Sequence, residues 1–196
     1  AANGNVYVAD DQNKKISFGD VARFGAFSTN EGFGVISHIN EVHKDNATPS
    51  AAMFVEVDVN TATGQVKVLR AVQAYDIGKA ISPQAVEGQI QGGIRQGLGY
   101  ALTEDLVVDS NGIPVANDLL EYNMIGAKDM PKVDVILVEI PEPTGPFGAK
   151  SVGEPPILPV APAVANAIYN AVGIRLKDLP MTPEKVLNAI RAKEGK

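Results

Sequence analysis

The chain of 196 residues contains no cysteine. That excludes disulfides, zinc–thiolate sites and cysteine-ligated iron–sulfur clusters on this polypeptide, and it sits easily with a reducing cytosol. No apolar run reaches the roughly 18 residues that a membrane-spanning helix requires, and no signal-peptide pattern opens the chain. No basic cluster offsets the formal charge of -6 and the pI near 4.9, which argues against a nucleic-acid surface. Histidine is scarce. His38 and His43, with Glu41 between them, lack the His-Glu-x-x-His spacing of zinc proteases and read as ordinary loop residues. There is no Gly-x-x-x-x-Gly-Lys-Ser/Thr phosphate loop. The glycines from Gly88 to Gly99 lie inside a helical pattern rather than between a strand and a helix, so a dinucleotide fingerprint fails as well. Internal repeats and low-complexity segments are also missing. The first residue is Ala1 rather than Met, the expectation being a processed subunit, a fragment or a separately expressed domain.

What is present is ordinary globular material, 45% hydrophobic and 20% charged, in a chain long enough to bury roughly 70% of its unfolded surface. Val6 and Val8 alternate as in a short strand. Ser17-Phe18-Gly19-Asp20 opens a helix through Phe24, and Gly25, Gly32 and Gly34 punctuate a loop. Residues 52–74 read as a β-hairpin: Val55, Val57 and Val59 alternate with Glu56 and Asp58, Thr61 to Gly64 turn, and Val66, Val68 and Val72 return. Residues 104–108 and 133–140 read as further strands, with Asp109-Ser110-Asn111-Gly112 as a turn after the first. The run from Pro155 to Pro162 reads as rigid loop. A helix with Val164, Ile168 and Val172 on one face follows and stops at Gly173. A last helix starts at Thr182, with Pro183 at its first position, and runs toward Ala192. Strands and helices mix without strict βαβ alternation, so the fold class is α+β: a mixed sheet with packed helices.

Two segments carry chemistry. The first is the helix over 82–102, with Ser82 as N-cap and Pro83 at the first position. Val86, Ile90, Ile94 and Leu98 form its apolar stripe. The rest of its surface holds Gly88, Gly92, Gly93, Gly97 and Gly99 among Gln84, Gln89, Gln91 and Gln96. Each internal glycine costs about 1 kcal/mol relative to alanine, so a bulky group should approach this backbone. Glycines for close approach and amides for pairing suit a flat polar heterocycle. They also suit a helix that crosses a strand tightly with its glutamines solvated.

The second is the loop Gly145-Pro-Phe-Gly-Ala-Lys-Ser-Val-Gly-Glu-Pro-Pro156. Its one carboxylate, Glu154, stands between Gly153, which permits sharp bends or close approach, and Pro155, which biases Glu154 toward extended angles. A carboxylate aimed in this way suits a general base. Burial among Phe147, Val152 and the prolines would raise its pKa. Adjacent Lys150 and Ser151 make a poor nucleophile pair. Glycoside hydrolysis would need a second carboxylate, for which Glu142 and Glu121 stay open, but a single proton abstraction fits the motif better.

These segments stand in a recognisable order: Glu56-Val57-Asp58-Val59 with Thr63-Gly64; Glu87-Gly-Gln-Ile-Gln-Gly-Gly93 with Gln96-Gly-Leu-Gly99; Gly145 to Glu154; and Leu179-Pro-Met-Thr-Pro-Glu-Lys-Val-Leu187. From about residue 52 onward the chain resembles the molybdenum hydroxylases, the family of xanthine dehydrogenase and aldehyde oxidoreductase. The likeness is to the C-terminal part of their molybdopterin-binding large subunit. It implies one molybdopterin-binding domain fragment over 1–196, with 1–50 as leading segment and 51–196 as C-terminal region.

The resemblance further implies that Glu154 is the active-site base, taking a proton from an oxygen ligand of molybdenum that attacks an electron-poor carbon. It implies that Gln89 contacts the pterin and that Lys150, Ser151, Val152 and Gly153 line the cofactor site. No metal ligand is implied on this chain. The cofactor would be molybdopterin, in its simple or a dinucleotide form, with iron–sulfur clusters and FAD on partner chains. The partners would be the remainder of the molybdenum subunit, an iron–sulfur subunit and an FAD subunit. The substrate would be an N-heterocycle of purine or nicotinate type, or an aldehyde. The Glu-Pro-Pro ending is closer to such enzymes than to carbon monoxide dehydrogenases. The full subunit is much longer, so this chain should not complete an active site alone. A non-catalytic cofactor-binding or bracing module is the rival reading, and a hydrolase with an unrecognised acid pair is a third.

Overall fold

The computed structural model describes residues 1–27, 38–39 and 46–195. Its contacts fall into two units, Ala1–His43 and Lys44–Lys196. In the first, β1 (Asn5–Val8) pairs antiparallel with β2 (Asp11–Ser17), and α1 (Phe18–Phe27) follows. The β2 sequence Asp-Gln-Asn-Lys-Lys-Ile-Ser lacks period-two alternation, so nothing local marks it as a strand. A tight turn at residues 9–10 folds it back along β1. The Ser17 hydroxyl oxygen accepts the Asp20 amide at 3.0 Å and caps α1. The helix does not stop at Phe24 but continues through buried Gly25 to Phe27. A single glycine, at about 1 kcal/mol, weakens a helix without ending it. Gly32, Gly34, Glu41 and His43 lie outside the described residues, and His38 is exposed.

The second unit is built on the expected hairpin. β3 (Ser50–Val59) and β4 (Val66–Asp76) pair antiparallel, with a register shift between Glu56 and Val57. Gly64 closes the turn at φ +78°, and a side chain there would strike the backbone at Pro183 and Leu187. Glycine thus serves both the left-handed angle and the approach of the last helix. β5 (Lys132–Val138) pairs parallel with β4, giving the order β3-β4-β5. Residues 104–108 are not a strand. Leu106, Val107 and Val108 are more than half exposed and take only an isolated bridge between Val108 and Pro114. Apolar content alone does not make a strand, and these residues pair with no strand of the β3-β4-β5 sheet.

Helix α2 (Pro83–Leu102) has the expected bounds, although the Ser82 side chain makes no capping bond. Helix α3 (Val160–Val172) starts inside the run expected to be loop and stops at Gly173, at φ 67°. Pro162 falls in the first turn of α3, where its missing N–H has no intrahelical partner to lose. Helix α4 (Pro183–Glu194) begins where Thr182 accepts the Lys185 amide. The apolar stripes meet on one face of the sheet. Tyr75 and Ile77 pack with Ile90, Ile94 and Leu98 of α2 and Val160, Val164 and Ile168 of α3 in one buried cluster. By the strand register Phe54 and Ile136 face the other way, and they are 72% and 51% exposed.

Candidate active site at the Glu154 loop

β4, α2 and the loop over 145–158 meet at the C-terminal end of β4. There Asp76 lies at the strand end and Gly78 follows at φ +70°. The Asp76 carboxylate accepts the Gly78 amide at 3.1 Å and takes the Lys150 ammonium at 2.6 Å. The two side chains are 18% and 11% exposed. The Lys150 ammonium, assisted by the Gly78 amide, holds the Asp76 carboxyl below its ordinary range against the opposing effect of burial. The backbone follows the same path: Lys150 N–H donates to Ile77 O at 2.7 Å, and Lys79 N–H donates to Gly148 O at 2.8 Å. Glu139 accepts the Ala80 amide and pairs with Lys79, while Glu142 accepts the Thr144 amide and hydroxyl. Both carboxyls are held low by these bonds.

A lowered carboxyl pKa gives stability that is full above the unfolded value and lost as pH falls through the folded one. The Asp76–Lys150 clasp is therefore expected to hold unchanged at neutral pH and to loosen only below the ordinary aspartate value of 3.8. Hydrogen-exchange protection over 146–152, taken relative to the intrinsic rate at each pH, would then fall in acid. Protection that is flat from neutral pH to well below that value would contradict the assignment.

Further along, three backbone carbonyls flanking Glu154 each accept a side-chain donor. The Tyr75 hydroxyl donates to Ser151 O at 2.6 Å, the Gln89 Nε2 amide to Gly153 O at 2.8 Å, and the Gln73 Nε2 amide to Pro156 O at 3.1 Å. Burial, with the Asp76 charge adding to it, pushes the Tyr75 hydroxyl up to about 12, so it stays a donor throughout the neutral range. Glu154 itself is exposed, and among the described residues no hydrogen bond or ion pair engages its carboxylate.

Two expectations about this residue are corrected. Glu154 is not extended: it has φ -101° and ψ -33°, and its carbonyl accepts the Ile157 amide to open a 3-10 turn over Pro155–Ile157. The tertiary bonds on both sides override the local bias of Pro155. Nor is it buried among Phe147, Val152 and the prolines. Phe147, at φ 53°, is 89% exposed, while Val152 packs on the core.

Four of the five glycines of α2 divide into two sets, while Gly99 lies against Glu104. Beside Gly93 an added Cβ would lie 2.8 Å from the Pro156 Cβ, and at Gly97 it would lie 2.5 Å from the Val160 Cβ. These glycines make room for the chain that follows Glu154. Gly88 and Gly92 have nothing within 4 Å and are exposed beside Gln84, Gln89 and Gln91. The Gln89–Gly153 bond ties this open face to the loop. An apolar hollow of about 300 Å³, lined by Ser50, Tyr75, Pro155, Leu158 and Pro159 among others, opens directly after Glu154.

The structure thus brings Gln89 and Gly153 together, with Glu154 next in the chain. It turns the Lys150 ammonium to Asp76 and engages Ser151 through its carbonyl. Sequence reasoning missed Gln73, Tyr75 and Asp76. The available signal was Gln73 itself, an amide at a core position between Ala71 and Tyr75 on a period-two strand. Among the described residues no cluster of three or more His, Asp or Glu side chains could hold a metal ion directly, and no helix is long and apolar enough to cross a membrane.

Residues 1–131 match the family model of the molybdopterin cofactor-binding domain, a match that begins well before residue 52. Over 178 residues the chain is 36% identical to a probable hypoxanthine oxidase of Escherichia coli K12, covering 90% of this chain and 18% of that protein. Aldehyde oxidoreductase from Desulfovibrio desulfuricans superposes with a TM-score of 0.67 at 39% identity, over 72% of this chain and 15% of that one. Quinoline 2-oxidoreductase from Pseudomonas putida 86 does so with a TM-score of 0.72 at 25% identity, over 96% of this chain and 25% of that one. The chain spans about a fifth of the length of the first of these relatives. With this fold, this loop and these matches, the chain belongs to the molybdopterin cofactor-binding domain family, of the xanthine dehydrogenase and aldehyde oxidoreductase type.

Proposed function

We propose that this chain is part of a molybdenum-dependent hydroxylase that oxidises an N-heterocycle or an aldehyde with water as oxygen source, and that Glu154 is its general base. One observation carries the reading: an unengaged carboxylate on a backbone held from both sides, beside a helix face left open at Gly88 and Gly92. That face fits the cofactor. A side chain at either glycine would fill the space, and the neighbouring amides offer donors and acceptors to a polar heterocycle. Gln89 would hold the pterin, with Lys150, Ser151, Val152 and Gly153 at its margin. The bound cofactor supplies the two-electron oxidation.

The chain's own contribution is proton transfer. A Glu154 carboxylate oxygen accepts the proton of the water-derived nucleophile as the nucleophile's own oxygen attacks the electron-poor carbon. The held backbone restricts where the carboxylate reaches, which lowers the entropic cost of alignment. The apolar hollow beside Pro155 suits the ring or alkyl part of a small substrate. Because the chain covers a small part of its relatives, activity requires the remainder of the molybdenum subunit. Iron–sulfur and FAD subunits would carry electrons onward. Such a chain is expected to copurify with larger chains and to carry stoichiometric molybdenum and pterin. An intact, folded complex without molybdenum would overturn the reading and favour a bracing module.

A further inference from the structure

Pro156 O has no local donor. In a 3-10 continuation its partner would be the N–H of residue 159, and residue 159 is proline. The carbonyl belongs to a buried residue, where an unpaired acceptor is costly. Gln73 supplies the missing donor from the middle strand of the sheet, 83 residues away in sequence. Gln73 is 0% exposed and is the one buried polar side chain in the core of the described residues. The orientation of its amide follows from the partner, since only Nε2 can donate to a carbonyl. Its Oε1 is buried and has no partner among the described residues. A methionine or leucine here would fill the core and remove the unpaired Oε1. What neither could do is donate to Pro156 O.

Two residues along the same face of β4, the Tyr75 hydroxyl does the same for Ser151 O at 2.6 Å. The bonds from β4 therefore bracket Glu154, one before it and one after. Gly93 leaves the space into which Pro156 is pressed. We infer that Gln73 and Tyr75 are positioning residues for Glu154, fixing the backbone on either side of it so that its carboxylate is aimed while remaining unpaired itself. This rests on Glu154 being the base. It implies that the sheet, through two side-chain donors, sets the alignment of the proton-transfer step.

The test uses the complete, cofactor-loaded enzyme that contains this chain. Gln73→Met, Tyr75→Phe and Glu154→Gln are compared with wild type for molybdenum content, kcat, KM and hydrogen exchange over 150–158. Displacements of about an ångström at a reacting group cost on the order of a hundredfold in rate. Gln73→Met is therefore expected to lower kcat by tenfold to a hundredfold, as an order of magnitude, with KM and molybdenum content near wild type and faster exchange over 150–158. Gln73→Glu, whose protonated carboxyl can donate to Pro156 O, should recover much of the loss. Tyr75→Phe, the milder change, should move kcat in the same direction and keeps the test open if Gln73→Met fails to fold. Unchanged kcat in folded Gln73→Met, or in Tyr75→Phe where Gln73→Met does not fold, overturns the positioning role if Glu154→Gln is inactive. Full turnover by Glu154→Gln overturns the base assignment instead, and the positioning role with it.

Discussion

Glu154→Gln is expected to abolish most turnover while leaving the fold and the cofactor content intact. The amide keeps the size of the carboxylate and cannot accept the proton. Positioned general bases contribute about a hundredfold to ten-thousandfold, and a loss of that size in kcat is the expected result. The fold should be spared because the carboxylate has no hydrogen-bond or ion-pair partner among the described residues whose loss would be felt. The measurement is steady-state turnover of the assembled enzyme with molybdenum quantified in the same sample. Comparable turnover at equal molybdenum would assign Glu154 to the loop and the chain to a binding or bracing role.

The second large effect divides the α2 glycines. Gly97→Ala places a Cβ 2.5 Å from the Cβ of Val160 and under 3 Å from both of its methyl carbons. Val160 is fully buried at the start of α3, and overpacking of this kind costs about 1–3 kcal/mol. The helix-propensity gain of about 1 kcal/mol offsets only part of it. Gly88→Ala meets nothing within 4 Å, so the same gain stands alone. Thermal unfolding should show Gly97→Ala less stable than wild type and Gly88→Ala more stable. A shift of about 2–4 °C per kcal/mol is usual in chains of 150–250 residues. If the open face receives the cofactor, Gly88→Ala should also lower the pterin content despite its added stability. Higher stability with undiminished pterin would remove Gly88 from the cofactor face.

The regular elements were legible because their signals are local. Val55, Val57 and Val59 alternate, the α2 stripe recurs every four residues, and Thr182-Pro183 and Gly173 punctuate the C-terminal helices. Polar β2 carried no such signal. The segment at 104–108 carried apolar content as well, yet pairs with no strand of the sheet. The motif around Glu154 and the glutamines of α2 were also visible, and their order identified the family. Their conformation was not. Pro155 suggested an extended Glu154, and the folded chain holds it near helical angles, because a bias of one residue is smaller than the bonds made to its neighbours.

The sequence by itself determined the residue types the chemistry needs, their order and the periodicities that place them on helix or strand, since these depend on neighbours along the chain. Only the tertiary structure decided which glycines face open space and which face Pro156 and Val160. It also decided that Lys150 turns to Asp76, and that Gln73, Tyr75 and Gln89 hold the carbonyls around Glu154. Those donors lie 64 to 83 residues from their acceptors, and no local rule connects positions so far apart; packing brings them together, and at buried Pro156 an unpaired carbonyl would be costly.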